Sequence, residues 1–202
     1  FYEVPLFYFP KFFHPDPTVK RQSGFLVPSF TDSTTVGTGI SLPYYWAISN
    51  NKDMTLTTKT YKNENILFLN EYRQAFRNGF LTLDTSYTEG YKDITSKKTD
   101  GSRNHLFADL KLNMGKFKSY VSDLSIKIQK TSNDTYFRVH DIDTALVNKS
   151  DTDLENEIMY KFRKNNLYFD ISAHVYENLR KDKTSDRYEY VLPNVLFGNT
   201  FF

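Results

Sequence analysis

Two absences narrow the possible classes of this 202-residue chain. It contains no cysteine, which excludes disulfides and thiolate metal sites but says nothing about the cellular compartment. It has no apolar run near 18 residues and a mean hydropathy of −0.57, which excludes a membrane-spanning helix. Neither observation excludes a β-barrel, whose strands hide their apolar residues by alternation.

A strong charge of one sign and any catalytic motif are also missing. The formal net charge is +2, so the chain lacks the basic footprint of a nucleic-acid-binding protein. No Gly-x-Ser-x-Gly, phosphate-binding glycine loop or nucleophile with a nearby base is present. The histidines lack metal-ligand spacing and are expected to be solvated or lumen-facing; they are His14, His105, His140 and His174. We therefore predict no enzyme activity, no catalytic residue, no metal and no cofactor.

Aromatic residues are abundant, at 17% of the chain, and this composition favours strands over helices. The segment from Asn166 to Asn178 alternates between an apolar and a polar face, with Phe169 on the first and Asp170 on the second. The alternation predicts about ten strands: Ser23–Phe30, Gly39–Ile48, Asp53–Tyr61, Ile66–Phe76, Phe80–Tyr87, Leu106–Asn113, Asp123–Gln129, Leu154–Phe162, Asn166–Asn178 and Tyr188–Phe197.

The predicted connections alternate between short and long. Tight turns are expected near Asn50 and Asn78, whereas Thr88–Asn104, Thr131–Asp153 and Asn178–Asp186 are long and polar. The middle one is read as a solvated, acidic extracellular loop. Short periplasmic turns and long extracellular loops are typical of outer-membrane barrels. The predicted fold is all-β, an antiparallel outer-membrane barrel fragment forming an open curved sheet, with its N-terminal end facing the periplasm.

Two prolines stand where strands should have none. Pro28 and Pro43 each remove a hydrogen-bond donor from adjacent predicted strands, which indicates a weakly paired seam and a candidate gate that includes Gly24 and Phe25. Such prolines also protect an exposed sheet edge from aggregation, and without further context that is the better explanation.

The first 22 residues differ from the rest of the chain. They hold four of the seven prolines, so 1–22 is predicted to be a junction and 23–202 the barrel part. The segment from Val4 to Phe9 is a candidate last strand of a preceding domain. Because the chain begins at Phe1 without an initiator methionine or an apolar leader, we expect an internal segment of a longer protein.

Several segments together resemble one family. The motifs read VPLFYFP from Val4, KRQSGFLVP from Lys20, LPYYWAI from Leu42 and DMTLT from Asp53. In order and spacing they are similar to the start of the barrel of the LptD family (also called OstA or Imp) of lipopolysaccharide (LPS)-assembly proteins. The resemblance implies transport of LPS to the outer leaflet of the Gram-negative outer membrane through a laterally opening barrel. It also implies a preceding periplasmic jellyroll that receives LPS from the LptA bridge, and a lipoprotein plug, LptE.

On this resemblance, Phe7, Phe9 and Tyr44 are candidate residues of the lipid path. Tyr44, Tyr45 and Trp46 are a candidate aromatic belt at the membrane interface, although a soluble sandwich also keeps such rings at its core margin. The alternatives are another outer-membrane porin or receptor barrel, and a soluble β-sandwich binding module. A sandwich would bury the apolar strand faces against each other, whereas a barrel would leave them exposed to lipid.

Overall fold

A computed structural model describes residues 21–90, 92, 101–115, 120–180 and 186–199. The elements in chain order are β1 Gly24–Phe25, β2 Ser29–Ser33, β3 Gly37–Ser49, β4 Lys52–Tyr61, β5 Leu67–Phe76, β6 Gly79–Thr88, β7 Arg103–Asn113, β8 Val121–Thr131, α1 Tyr136–His140, β9 Asp153–Lys164, β10 Leu167–Asn178 and β11 Tyr188–Asn199. Within these ranges no helix is long and apolar enough to cross a membrane. The predicted junction 1–22 lies almost wholly outside the described residues.

The strands form one sheet of eleven antiparallel members. Each strand from β3 to β11 pairs with its neighbour in the chain, and β1 and β2 both pair with β3. The predicted all-β antiparallel sheet is confirmed, and its ten strands become eleven because the first one splits on either side of Pro28. Over the described residues the sheet stays open, with β11 at one edge and β1 and β2 at the other.

Tight turns connect the strands at one end of the sheet. Phe76 pairs with Gly79, and Lys164 with Leu167, which leaves two-residue turns between them. In the second turn, Asn165 adopts the left-handed conformation, with φ of 52°. Asparagine tolerates this conformation better than most residues, so the turn chemistry fits the sharp reversal. We call the end of the sheet that carries these turns the short-turn end, and the opposite end of the strands the long-loop end.

The two faces of the sheet differ in composition. One face, here called the apolar face, leaves large hydrophobic side chains exposed: Ile40, Leu42, Trp46, Leu56, Phe68, Leu106, Ile128 and Ile158. The other, here called the polar face, buries hydrophilic side chains: Ser41, Asp53, Thr82, Asp84, Ser86, Arg103, His105 and Gln129. A soluble sheet would bury its apolar face, so this arrangement is that of a membrane barrel wall.

The long connection after β8 is not the solvated loop that its composition predicted. It forms the short helix α1, and Tyr136, Phe137, Ile142 and Val147 within it are each at most 4% exposed. The Phe137 ring stacks on Phe107 of β7, with centroids 5.2 Å apart. The segment 132–152, here called the folded loop, therefore packs on the polar face at the long-loop end and provides much of the buried core.

Hydrogen bonds join the folded loop to the sheet. The Tyr136 hydroxyl lies 2.7 Å from Ser86 Oγ, which lies 2.5 Å from Nδ1 of His105. Nε2 of the same ring is 2.8 Å from Asp84 Oδ1. This chain of polar groups is buried, so each group needs the next as its partner. His105 is therefore on the polar face, as predicted, but enclosed rather than solvated.

Candidate functional site

The predicted seam lies between β1, β2 and β3. Only Gly24 and Phe25 form a regular pair with Tyr45 and Tyr44 before the strand is interrupted. The N–H of Leu26 then donates to the carbonyl of Pro43, at 2.9 Å. Regular pairing resumes at Ser29. The first barrel strand is thus held to its neighbour by two short ladders instead of one long one.

Pro43 removes one hydrogen bond from this seam. In an antiparallel ladder, residues directly opposite each other exchange two N–H···O bonds in alternate pairs. Leu26 donates to the Pro43 carbonyl, but Pro43 has no N–H to return to the Leu26 carbonyl. A backbone hydrogen bond contributes about 0.5–1.5 kcal/mol net, so the loss is local and modest.

Pro28 coincides with a change of register. Phe25 lies opposite Tyr44, and Ser29 lies opposite Ser41, so four steps along one strand match three along the other. The extra residue falls between Leu26 and Ser29, where the ladder is interrupted. An unpaired extra residue disrupts the ladder as a β-bulge does. The two prolines therefore weaken neighbouring rungs of one seam.

Aromatic side chains flank the seam on the apolar face. Phe25 is 70% exposed and meets the ring of Tyr44 edge-on, with centroids 5.1 Å apart. Trp46 shares this face and is 46% exposed. Tyr45 instead lies on the polar face, where the Arg21 guanidinium is 5.9 Å from its ring centroid. The predicted belt thus divides between the two faces, and only Tyr44 and Trp46 face the side where lipid would lie.

The residues just before β1 are held to the sheet by a buried carboxylate, that of Asp53. Asp53 on β4 is 3% exposed and forms ion pairs with Arg21 and with Arg73, whose Nε lies 2.8 Å away. Ser23 adds a further contact, since its hydroxyl accepts a hydrogen bond from the N–H of Ala47 at 2.9 Å. The chain before β1 is therefore fixed to β3 and β4, while β1 itself is weakly paired. Composition gave no signal for this contact.

The acidic residues of the folded loop bind protein groups. Asp134 pairs with Arg187 at 2.6 Å, and Asp151 accepts a hydrogen bond from the Asn148 N–H at 2.9 Å. Asp141 and Asp143 both pair with Lys149. The backbone N–H and the ammonium group of Lys149 lower the pKa of Asp143. These carboxylates therefore pair with groups of the folded loop itself and with Arg187.

The sequence reasoning missed a second cluster, on the polar face of β9 and β10. It consists of Glu155, Glu157 and His174, which each place a potential metal-ligand atom within 4.8 Å of the others. The sequence did hold a signal for this cluster. The two-residue turn after Lys164 sets Glu157 opposite His174. Because side chains alternate between the faces of a strand, Glu155 lies on the same face as Glu157. Two predicted lipid-path residues, Phe7 and Phe9, lie outside the described residues.

Comparison with known proteins gives a consistent result. The sequence profile of a family described as LptD protein matches residues 1–201. An LPS-assembly protein LptD of Shewanella oneidensis is 39% identical over 85 residues, 41% of this chain. Its counterpart in Nitrosococcus oceani is 34% identical over 123 residues, 56% of this chain. That of Escherichia coli O1:K1 is 28% identical over 186 residues, 90% of this chain. The matched regions are 11%, 16% and 23% of these relatives, so the chain spans at most about a quarter of them.

Proposed function

Because this chain belongs to the LptD protein family, we propose that it forms the first strands of an outer-membrane barrel that delivers LPS to the outer leaflet. The lipid leaves the barrel sideways, between the first strands and the strand that would close the barrel, and the loose pairing at the seam between β1, β2 and β3 permits this opening. The observation that carries this proposal is the interrupted pairing of β1 and β2 with β3, at Pro28 and Pro43.

The distribution of polarity supports a membrane location. Exposed apolar side chains continue across the sheet, from Ile40 on β3 to Ile158 on β9, whereas Asp53, Asp84 and Arg103 lie on the opposite face. A wall of this kind places lipid outside and water inside. The acyl chains of LPS would follow Phe25 and Tyr44 on the apolar face, while the polar head crosses the hydrated interior.

The weak seam supports lateral release rather than passage through a fixed pore. Opening a regular ladder breaks one backbone hydrogen bond about every residue, each contributing about 0.5–1.5 kcal/mol. Here the ladder has lost a donor at Pro43 and its register changes near Pro28. Asp53 meanwhile holds the preceding segment at Arg21, so the seam can open without detaching the chain that enters it.

The proposal includes an orientation and partners, for which membership of the LptD family is the support. The short-turn end lies in the periplasm, and the chain enters β1 from that side. A preceding jellyroll receives LPS from the LptA bridge, and the LptE lipoprotein occupies the lumen. The part of the polar face that the folded loop leaves uncovered, with Asp109 and Lys111, is the surface available to such a plug.

Photocrosslinking in living cells tests the proposal. A photoreactive residue replaces Phe25 or Tyr44 in the full-length protein that contains this chain, and Ile158, exposed on the same face but distant from the seam, is the matched control. We expect LPS adducts at the seam positions and far fewer at Ile158. Normal assembly of the variants with no seam-specific adduct would contradict lateral release and favour a porin or receptor barrel.

A further inference from the structure

We propose that Glu155, Glu157 and His174 form a binding site for a divalent transition-metal ion of the zinc class. The three residues come from adjacent strands, and Glu157 lies directly opposite His174. Their donor atoms are two carboxylate oxygens and one imidazole nitrogen, a combination found in protein zinc sites. The site is independent of the proposed transport function.

The distances favour an ion between the groups over direct bonding. Nδ1 of His174 lies 3.6 Å from Glu155 Oε1 and 3.6 Å from Glu157 Oε2. These separations exceed the 2.7–3.2 Å range of ordinary hydrogen bonds to oxygen. Two ligands about 2.05 Å from a tetrahedral zinc ion are about 3.4 Å apart, close to the separations observed here.

The His174 nitrogen has no hydrogen-bond partner among the described residues, although the atom itself is buried. Buried polar atoms rarely lack a partner, so we expect Nδ1 to bind a group other than the described residues. The ring lies parallel to that of Tyr176, with an interplanar angle of 3° and centroids 6.1 Å apart. Nδ1 of this ring lies at the same distance, 3.6 Å, from an oxygen of each carboxylate.

Neighbouring groups orient the carboxylate of Glu155. Lys127 Nζ donates to Oε2 at 2.7 Å, and the Tyr176 hydroxyl donates to Oε1 at 3.2 Å. Such outer contacts are typical of metal-binding carboxylates. The two carboxylates outweigh the single ammonium group, so the cluster keeps a net negative charge that attracts a cation. Three protein ligands leave a further coordination position for water or an anionic oxygen.

Metal titration of the full-length protein in detergent tests this site. After chelator treatment, zinc binding is measured by calorimetry in the wild type and in three variants. His174→Gln should lose one zinc ion per protein, and Glu157→Gln should weaken that site about tenfold or more. Asp170→Asn is the matched control, because Asp170 lies on the polar face of the same strand but pairs with Arg163. It should bind zinc as the wild type does.

A spectroscopic readout separates this site from other zinc-binding groups in the longer protein. Copper(II) bound at the site should show nitrogen hyperfine coupling from one imidazole, and His174→Gln should abolish that signal. Heat-dependent migration on denaturing gels verifies that each variant barrel has folded. If His174→Gln fails to fold, the near-isosteric Glu157→Gln provides the test. Equal zinc stoichiometry and affinity in the wild type and the folded variants would overturn the proposal.

Discussion

Phe137 holds the folded loop against the polar face, and its removal provides a quantitative test of that docking. Its ring is 3% exposed, stacks on Phe107 and lies 5.2 Å from the His105 ring. Truncating a buried phenylalanine to alanine costs about 3–5 kcal/mol, because both the buried area and the packing contacts are lost. Phe137→Ala should therefore release the loop more readily while the strands below it remain paired.

Amide hydrogen exchange in the full-length protein measures this effect. Protection of amides in the folded loop reports the free energy of local opening. A cost of about 3 kcal/mol or more corresponds to exchange at least about 100-fold faster in Phe137→Ala. Amides of β5 and β6 next to the Phe76–Gly79 turn, at the end of the sheet away from the loop, should exchange as before.

The neighbouring helix position provides the control. Arg138 is exposed on the same short helix, so Arg138→Ala should change loop protection by less than about 0.5 kcal/mol. Unprotected loop amides in the wild type, or equal exchange in the two variants, would refute the docking of the loop on the polar face.

Three further predictions follow from the strands and the loop. Ile158→Lys, at an exposed site near the middle of β9, should lower the free energy of unfolding in a lipid bilayer by about 2–4 kcal/mol. Ser172→Lys, on the polar face, should lower it much less in the same measurement. Gly79→Ala should destabilise the β6–β7 pair by about 1–3 kcal/mol, because the new Cβ would lie 2.1 Å from the Lys111 carbonyl oxygen. Gly24→Ala is the control, since a Cβ there meets nothing within 4 Å. Equal melting temperatures of the two variants would contradict this prediction. The folded-state pKa of Asp143 lies below its ordinary value of 3.8. Its pairing with Lys149 therefore stabilises the loop above pH 3.8, and this stabilisation is lost as the pH falls through the lowered pKa. Asp143→Asn should remove this pH dependence of amide exchange in the loop.

The strands were predictable because their side chains alternate with a period of two. The segment from Asn166 to Asn178 shows this most clearly, and the observed β10 spans Leu167–Asn178. The turns were also predictable where local chemistry dictates them, as at Asn78, which lies in the two-residue turn between Phe76 and Gly79. The proline positions indicated an irregular seam, and the pairing at Leu26 is irregular. In each case the relevant interactions are local in sequence.

The folded loop was not predicted, because its position depends on contacts distant in sequence. Tyr136 and Phe137 stand among Asp, Asn, Ser and Thr residues, and the composition of the segment resembles that of a solvated loop. Their partners, Ser86 and Phe107, belong to β6 and β7. An aromatic pair followed by Ile142 in an otherwise polar connection was the available signal for a buried segment.

Restoring the missing donor at the seam tests the central claim most directly. Pro43→Thr supplies an N–H opposite the Leu26 carbonyl, and combining it with Pro28→Thr removes both prolines from the seam. The control is Pro193→Thr, because Pro193 lies at the register shift between β10 and β11, away from the seam. The measurement is the amount of LPS at the surface of cells that depend on each variant. The account predicts a marked fall for the seam variant alone, and normal surface LPS with a folded seam variant would contradict it.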